Sequence, residues 1–253
     1  MWYDLCQGEV FNAQLPKEDK NVRGFKRFLH THYWLFTRPK NRFISMSHFG
    51  LSEKEVSGKV LWCWIGRIAA LKAKKIVWHE GLNKRSGPKI ILSIDGVDFK
   101  TWEPSTSHFN RDPSWCSSKL KASAYRYKIA IDVWSSKVVW VNGPYKAGSN
   151  NDLKIFKSKL MDKMPNGKKA IADRGYTGVE VYVCIPSTRD PPHVRKFSSR
   201  VRCRHKTFNG RIKNFSSMNQ TWSHGIRKHK IALEAVCVIL QYQMDNGAPL
   251  FDP

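Results

Sequence analysis

Three aspartates, Asp95, Asp152 and Asp173, stand at the spacing on which metal chemistry can be built. Asp95 closes the apolar run Ile90 to Ile94 and precedes Gly96, while Asp173 closes Lys169 to Ala172 ahead of Arg174-Gly175-Tyr176. Short apolar runs of this kind read as buried strands, so each would deliver an acid at its carboxyl end. Asp152 follows the turn and cap residues Gly148-Ser149-Asn150-Asn151 and opens an amphipathic stretch. Carboxylates converging in this way suit Mg²⁺ or Mn²⁺, which prefer oxygen ligands and keep waters for reaction. Two such ions about 3.5–4 Å apart activate the attacking oxygen and stabilise the leaving one in phosphodiester chemistry. Spacing alone also allows plainer roles: turns at Asp95-Gly96 and at Asp173-Arg174-Gly175, and a helix cap at Asp152. Asp98, further along the first strand, reads as a support for the ligands or a surface charge, and Asp132 as structural.

The surrounding charge is of the opposite sign. The 253 residues carry 44 Lys and Arg against 20 Asp and Glu, a formal charge of +24, which points to a polyanionic partner, nucleic acid first. The imbalance peaks between Pro191 and Leu233, which holds eleven Lys or Arg and no acid. Arg200, Arg202, Arg204, Arg211 and Lys213 within it are the candidate DNA-binding residues. The six cysteines form no Cys-x-x-Cys pair, which excludes a legible zinc site or disulfide framework and sets the expectation of a reduced compartment. No run approaches the length of a membrane span, and the first residues lack the order of a signal peptide, so a soluble, unsecreted protein is expected.

Periodicity supplies the elements that must position these residues. A short helix is expected at Gly24–His32, another at Phe43–Phe49, and a third from Ser52 to about Lys75, where Ser52 and Glu55 form a capping box. The last two outline a helix-turn-helix, with an ordinary helical hairpin as the alternative. Strands follow at Lys89–Asp95, Tyr125–Trp134 and Lys137–Val141, the last two joined by a Ser135-Ser136 turn. Trp102 to Ser118 reads as a long surface loop whose Trp102, Phe109 and Trp115 either pack on the core or stack on splayed bases. A helix from Asp152 to about Lys163, strands at Lys169–Asp173 and Val181–Ile185, and helices at Val201–Phe215 and Gly225–Met244 complete the chain. Strands first and helices interleaved later make this a mixed α/β (α+β) fold.

Four ordered blocks carry a resemblance: Ser93-Ile94-Asp95-Gly96-Val97-Asp98-Phe99; Trp140-Val141-Asn142-Gly143-Pro144 leading to Gly148 through Phe156; Ala172-Asp173-Arg174-Gly175-Tyr176; and Arg202 through Lys213. Together they resemble the PIF/Harbinger transposase superfamily. The resemblance implies an RNase H-like nuclease core over residues 89–245, behind an N-terminal helical region at 1–88 and ahead of a tail at 246–253. It also implies DNA as substrate, hydrolysis and strand transfer, Mg²⁺ or Mn²⁺ as cofactor, a Myb-like DNA-binding partner and a nuclear location, with the cytoplasm as a second site. Asp95 matches the first acid; Asp152 and Asp173 both match acidic positions, and fold order favours Asp173 as the second triad member.

At one position the chain departs from the superfamily pattern. The last acid of the family is a glutamate in an Arg-His-Glu setting, and here Arg204-His205-Lys206 stands instead, with Asp190 and Glu234 the nearest acids on either side. A cation where a ligand is expected adds repulsion to a site that needs net negative charge. The expectation is an impaired DDE-type transposase or nuclease, the alternative being a non-enzymatic DNA- or partner-binding descendant of one.

Overall fold

The computed structural model describes residues 1–8, 14–84, 87, 89–103 and 112–253. Helices α1 (Trp2–Gln7), α2 (Val22–Thr37), α3 (Arg42–Phe49), α4 (Gly58–Ala70) and α5 (Lys72–Lys75) come first, and α6 (Glu80–Lys84) leads into the sheet. Strands β1 (Ile90–Lys100), β2 (Cys116–Ser117), β3 (Ala122–Asp132) and β4 (Val138–Lys146) precede helix α7 (Asp152–Lys159); β5 (Lys169–Ile171) and β6 (Val183–Cys184) precede α8 (Pro192–Lys213), α9 (Ser216–Asn219) and α10 (Ile226–Asp245). Contacts divide the chain into two compact units, Met1–Lys75 with Arg211–Gln243, and Ile76–Gly210 with Met244–Pro253. Each unit is built from two separate pieces of chain, where the sequence pattern places one boundary at 88/89.

The first unit is helical. Asn21 caps α2 by accepting from the Gly24 amide at 3.0 Å, and the helix runs 16 residues, well past the expected span, because Phe28, Thr31 and Leu35 bury one face. Ser52 and Glu55 do meet, the serine amide and hydroxyl donating to Oε2 at 2.9 and 2.7 Å. Its hydroxyl is thereby used as a donor and does not cap the Glu55 amide, so the pair closes a turn and α4 starts only at Gly58. Residues 50–57 separate α3 from α4, more than the roughly three or four of a helix-turn-helix, and each of the two helices packs on α2. Buried Asp19 accepts from Arg27 and Arg67, each at 2.7 Å, tying α2 to α4.

The second unit is a mixed sheet. β1 pairs antiparallel with β3, and β3 with β4 and, at its start, β2; on its other side β1 pairs parallel with β5, and β5 with β6. Three antiparallel strands followed by two parallel ones, with α7 between, form the order β4-β3-β1-β5-β6 of an RNase H-like core. Phe156 and Leu160 of α7 and Tyr176 pack on Ile94, Ala130 and Ala170, each fully buried large side chain contributing about 1.5–3 kcal/mol. A smaller cluster joins Val201 of α8 to Val133 and Ile171.

Three sequence expectations change here. β1 runs 11 residues, so Asp95-Gly96 lies mid-strand and is no turn. The stretch expected as a loop before Ser118 holds, in its described part, a 3₁₀ turn and β2, with Trp115 buried edge-on against Tyr125; Phe109 lies outside the described residues and Trp102 is exposed. Helix α8 starts nine residues before Val201, at Pro192, where a missing amide hydrogen costs nothing at a first helical position. Its opening turns are too polar for an apolar stripe to announce them.

Candidate active site

Asp95 sits at the centre of β1, opposite Ile129 of β3. Its Oδ1 accepts from the Gly96 amide at 2.8 Å and its Oδ2 from the Asn209 side chain of α8 at 3.1 Å. Burial pushes its carboxyl above the ordinary range, and the charges of Lys119 and Lys128 only partly offset this. One strand position away in parity, Ser93 meets Nδ1 of His205 at 2.8 Å. Alternate strand residues share a face, so Ser93 and Asp95 together look towards α8.

The neighbouring Gly96 faces the other way, opposite Lys128 in the strand register. A Cβ on Gly96 would lie 2.1 Å from Oδ1 of Asp152, so the missing side chain is what lets the carboxylate of α7 rest on the strand. Asn151 is the cap, accepting from the Lys154 amide at 2.8 Å, which leaves Asp152 turned inward. There Oδ1 of Asp152 accepts from Lys128 Nζ at 2.7 Å, and the same ammonium donates to the Tyr176 hydroxyl and lies 4.6 Å from its ring centre. Lys128 is fully buried. Burial acts to raise Asp152, but Lys128, with Lys119 and Arg126, outweighs it and holds the carboxyl below its ordinary range. Burial pulls the Lys128 amine down, while Asp152 first, then Asp95 and Asp173, favour its charged form.

Asp173 follows β5, exposed, and accepts from the Gly175 amide at 3.0 Å. It shares a cleft of about 170 Å³ with Asp95, and Lys119, Arg202, His205 and Lys206 line the same space. The structure thus brings Asp95 and Asp173 to one cleft and rests Asp152 on Gly96 beside it, with Lys119, which lines the cleft, 3.9 Å from Asp152 Oδ2. Lys206 is exposed and stands in the cleft where an acid is expected. His205 is buried, its pKa lowered to about 3 by burial and by the charges of Lys128 and Arg204, so it packs as a neutral ring.

The arginines divide. Arg204 is 1% exposed and donates to the Val133 carbonyl and to the Ser136 hydroxyl, so its guanidinium holds the β3–β4 turn and is not open to DNA. Arg200 is exposed, donates to the Asp252 carbonyl at 2.8 Å and lies over Phe251. Arg202 lines the acidic cleft and also a neighbouring one of about 280 Å³, shared with Arg174, Arg195, Ser187, Thr188 and Ser199. Arg211 and Lys213 fall in the other compact unit, at the end of α8. Sequence reasoning missed Lys119, Lys128, Arg174, Arg195 and Asn209 as residues of the site. Lys128 carried a signal: with Arg126 it is one of two cations at alternate positions within an otherwise largely apolar and aromatic strand.

Asp98 is no surface charge; through Arg126, which also donates to the Asn150 carbonyl at 2.9 Å, it braces the start of α7. It is buried opposite Arg126, which closes a two-pronged pair on it through Nε and Nη2, both at 2.7 Å, and Ser117 adds a third bond at 2.6 Å. Asp132, as expected, is structural: it ends β3 and accepts from the Trp134 amide and the Ser135 hydroxyl.

The family model described as DDE superfamily endonuclease matches residues 94–241, more than half of the chain, with Asp95, Asp152, Asp173 and Lys206 inside the match. The chain belongs to this family. No curated protein and no solved structure matches it. Such a DDE endonuclease domain implies DNA as substrate, and the superfamily generally uses divalent metal ions. The donor set of this DDE domain does not fit one: among the described residues no three His, Cys, Asp or Glu side chains come together to hold an ion. Asp152 is bound to Lys128, and Lys206 lines the cleft that holds Asp95 and Asp173. No helix among the described residues is long and apolar enough to cross a membrane.

Proposed function

We propose that this chain is a Harbinger-type, transposase-derived protein that keeps the DDE fold for binding DNA and has lost phosphodiester cleavage. The observation that carries this reading is Lys206, which lines the cleft of Asp95 and Asp173 and stands in the sequence where the family glutamate is expected. A lysine at that position contributes a positive charge to the cleft where an acid would contribute a ligand, so Mg²⁺ or Mn²⁺ would bind there with one ligand fewer and against charge repulsion. What remains is a basic surface. Arg174, Arg195 and Arg202 converge on one groove beside hydroxyl groups, a combination that contacts phosphate oxygens without reading base sequence. Arg200 of the same unit adds positive charge, Arg204 contributes none to this surface, and Arg211 and Lys213 add theirs to the other unit. A nuclear location and a Myb-like partner supplying sequence recognition complete the reading, both resting on the resemblance to Harbinger proteins.

The test is DNA binding and cleavage by the unaltered protein across a salt series. Binding that weakens linearly in log salt, with no cleavage in Mg²⁺ or Mn²⁺, is the expected result. Metal-dependent cleavage by the unaltered protein overturns the loss of chemistry, and salt-insensitive or absent binding overturns the DNA role.

A further inference from the structure

We propose that the metal centre of this chain is closed a second time, by Lys128, which withdraws Asp152 as a ligand and supplies a built-in cation in place of a divalent ion. The inference rests on the reading that Lys206 disables the cleft, and it adds a second lesion beside it: Lys119, which lines that cleft, lies 3.9 Å from Asp152, and the charges of Asp152, Asp95 and Asp173 all act on Lys128.

The geometry is that of a ladder with one borrowed rung. Asp98 and Gly96 are two apart on β1 and share a face; Arg126 and Lys128 stand directly opposite them on β3. The first rung is closed within the sheet, since Asp98 and Arg126 meet across the strands at 2.7 Å. At the second rung β1 offers only Gly96, and the acid comes from α7: Asp152 fills the space of the absent side chain and meets Lys128 at 2.7 Å. The ammonium is also bound by the Tyr176 hydroxyl and covered by its ring, so it has no route to solvent and no reason to leave. A divalent ion at Asp152 would have to sit beside an ammonium already in contact with the same carboxylate, and the repulsion between the two cations in a buried site opposes its binding. Lys119, 3.9 Å from Oδ2, adds positive charge on the remaining side.

The consequence is that reversing Lys206 alone leaves an incomplete centre. Binding of Mn²⁺ alone, read by the loss of its free-ion electron paramagnetic resonance signal, tests this on the full chain and four variants. Lys206→Glu is expected to bind weakly, and adding Lys128→Met, an uncharged side chain of the same length, is expected to tighten binding about 10- to 100-fold. Asp152→Asn should leave the affinity of Lys206→Glu unchanged yet abolish the gain in the Lys128→Met background. Equal affinity with and without Lys128→Met refutes the role of Lys128 and leaves the proposed function standing, as does a loss on Asp152→Asn in Lys206→Glu itself. Absence of binding in every variant also refutes it, because removing Lys128 is expected to free a ligand. Tight binding by the unaltered chain together with cleavage refutes the proposed function instead. If the double variant is unfolded as purified, refolding in Mn²⁺ and in EDTA decides: recovery with Mn²⁺ only supports the exchange of one cation for another, and equal outcomes refute it.

Discussion

The two faces of β1 use aspartate in opposite ways. On the face towards α8, Asp95 is held by two neutral donors, the Asn209 amide and the Gly96 backbone, and looks into a cleft. On the other face Asp98 and Asp152 are each closed by a cation at 2.7 Å. Neutral donors orient a carboxylate and leave its charge unspent, whereas a contacting guanidinium or ammonium spends it on the fold. The first arrangement keeps capacity for a ligand at a cost in stability; the second converts charge into structure.

This contrast can be broken first at Asp98. Asp98→Asn strands the Arg126 guanidinium in the interior, and breaking a buried pair in this way is expected to cost about 3–5 kcal/mol, measured by denaturant unfolding. A loss under about 1 kcal/mol, the scale of a surface pair, would place Asp98 in the same class as Asp95.

On the Asp95 face the largest effect is expected from pH. His205, held near 3 against an ordinary 6.5, stays neutral in the folded protein and takes a proton when the chain unfolds in acid. A depressed pKa contributes stability that is present above 6.5 and is lost as pH falls towards 3, with a slope of up to about 1.4 kcal/mol per pH unit. His205→Gln should flatten that slope over this window; an unchanged slope would mean that the proton is taken up elsewhere.

The smallest effect is expected at Asp95 itself. Its carboxyl is raised by burial, so ionisation at neutral pH opposes folding, and the opposition fades as pH falls through the raised value. Asp95→Asn should therefore raise the melting temperature slightly at neutral pH, with the gain vanishing in acid. A lower melting temperature at neutral pH would show that Asp95 is as structural as its neighbour.

Much of this was legible in the residues. The order of strands and helices, the acids at 95, 152 and 173 and the lysine at 206 can all be read from pattern and resemblance, because apolar runs and their bounding polar residues are local signals. The start of α8 was hidden because its first turns bury little. The division between the faces of β1 was hidden because it depends on which residue stands opposite Gly96, and register is a property of two strands together. The same non-locality misplaced Arg204: nothing in a run of basic residues says which guanidinium will be drawn into the turn after β3. Which of the two readings of Asp98 holds could not be decided without its partner, Arg126, which lies 28 residues away.

Gly96 carries information as a missing atom group. Strand and helix are pinned to each other at the point where Asp152 enters the space of an absent methyl. Any larger residue there would push the start of α7 outward, carrying its carboxylate away from Lys128. The fit between two elements more than fifty residues apart thus rests on a hydrogen in place of a carbon, a constraint that filters which sequences can drift at this position even where no reaction is left to protect.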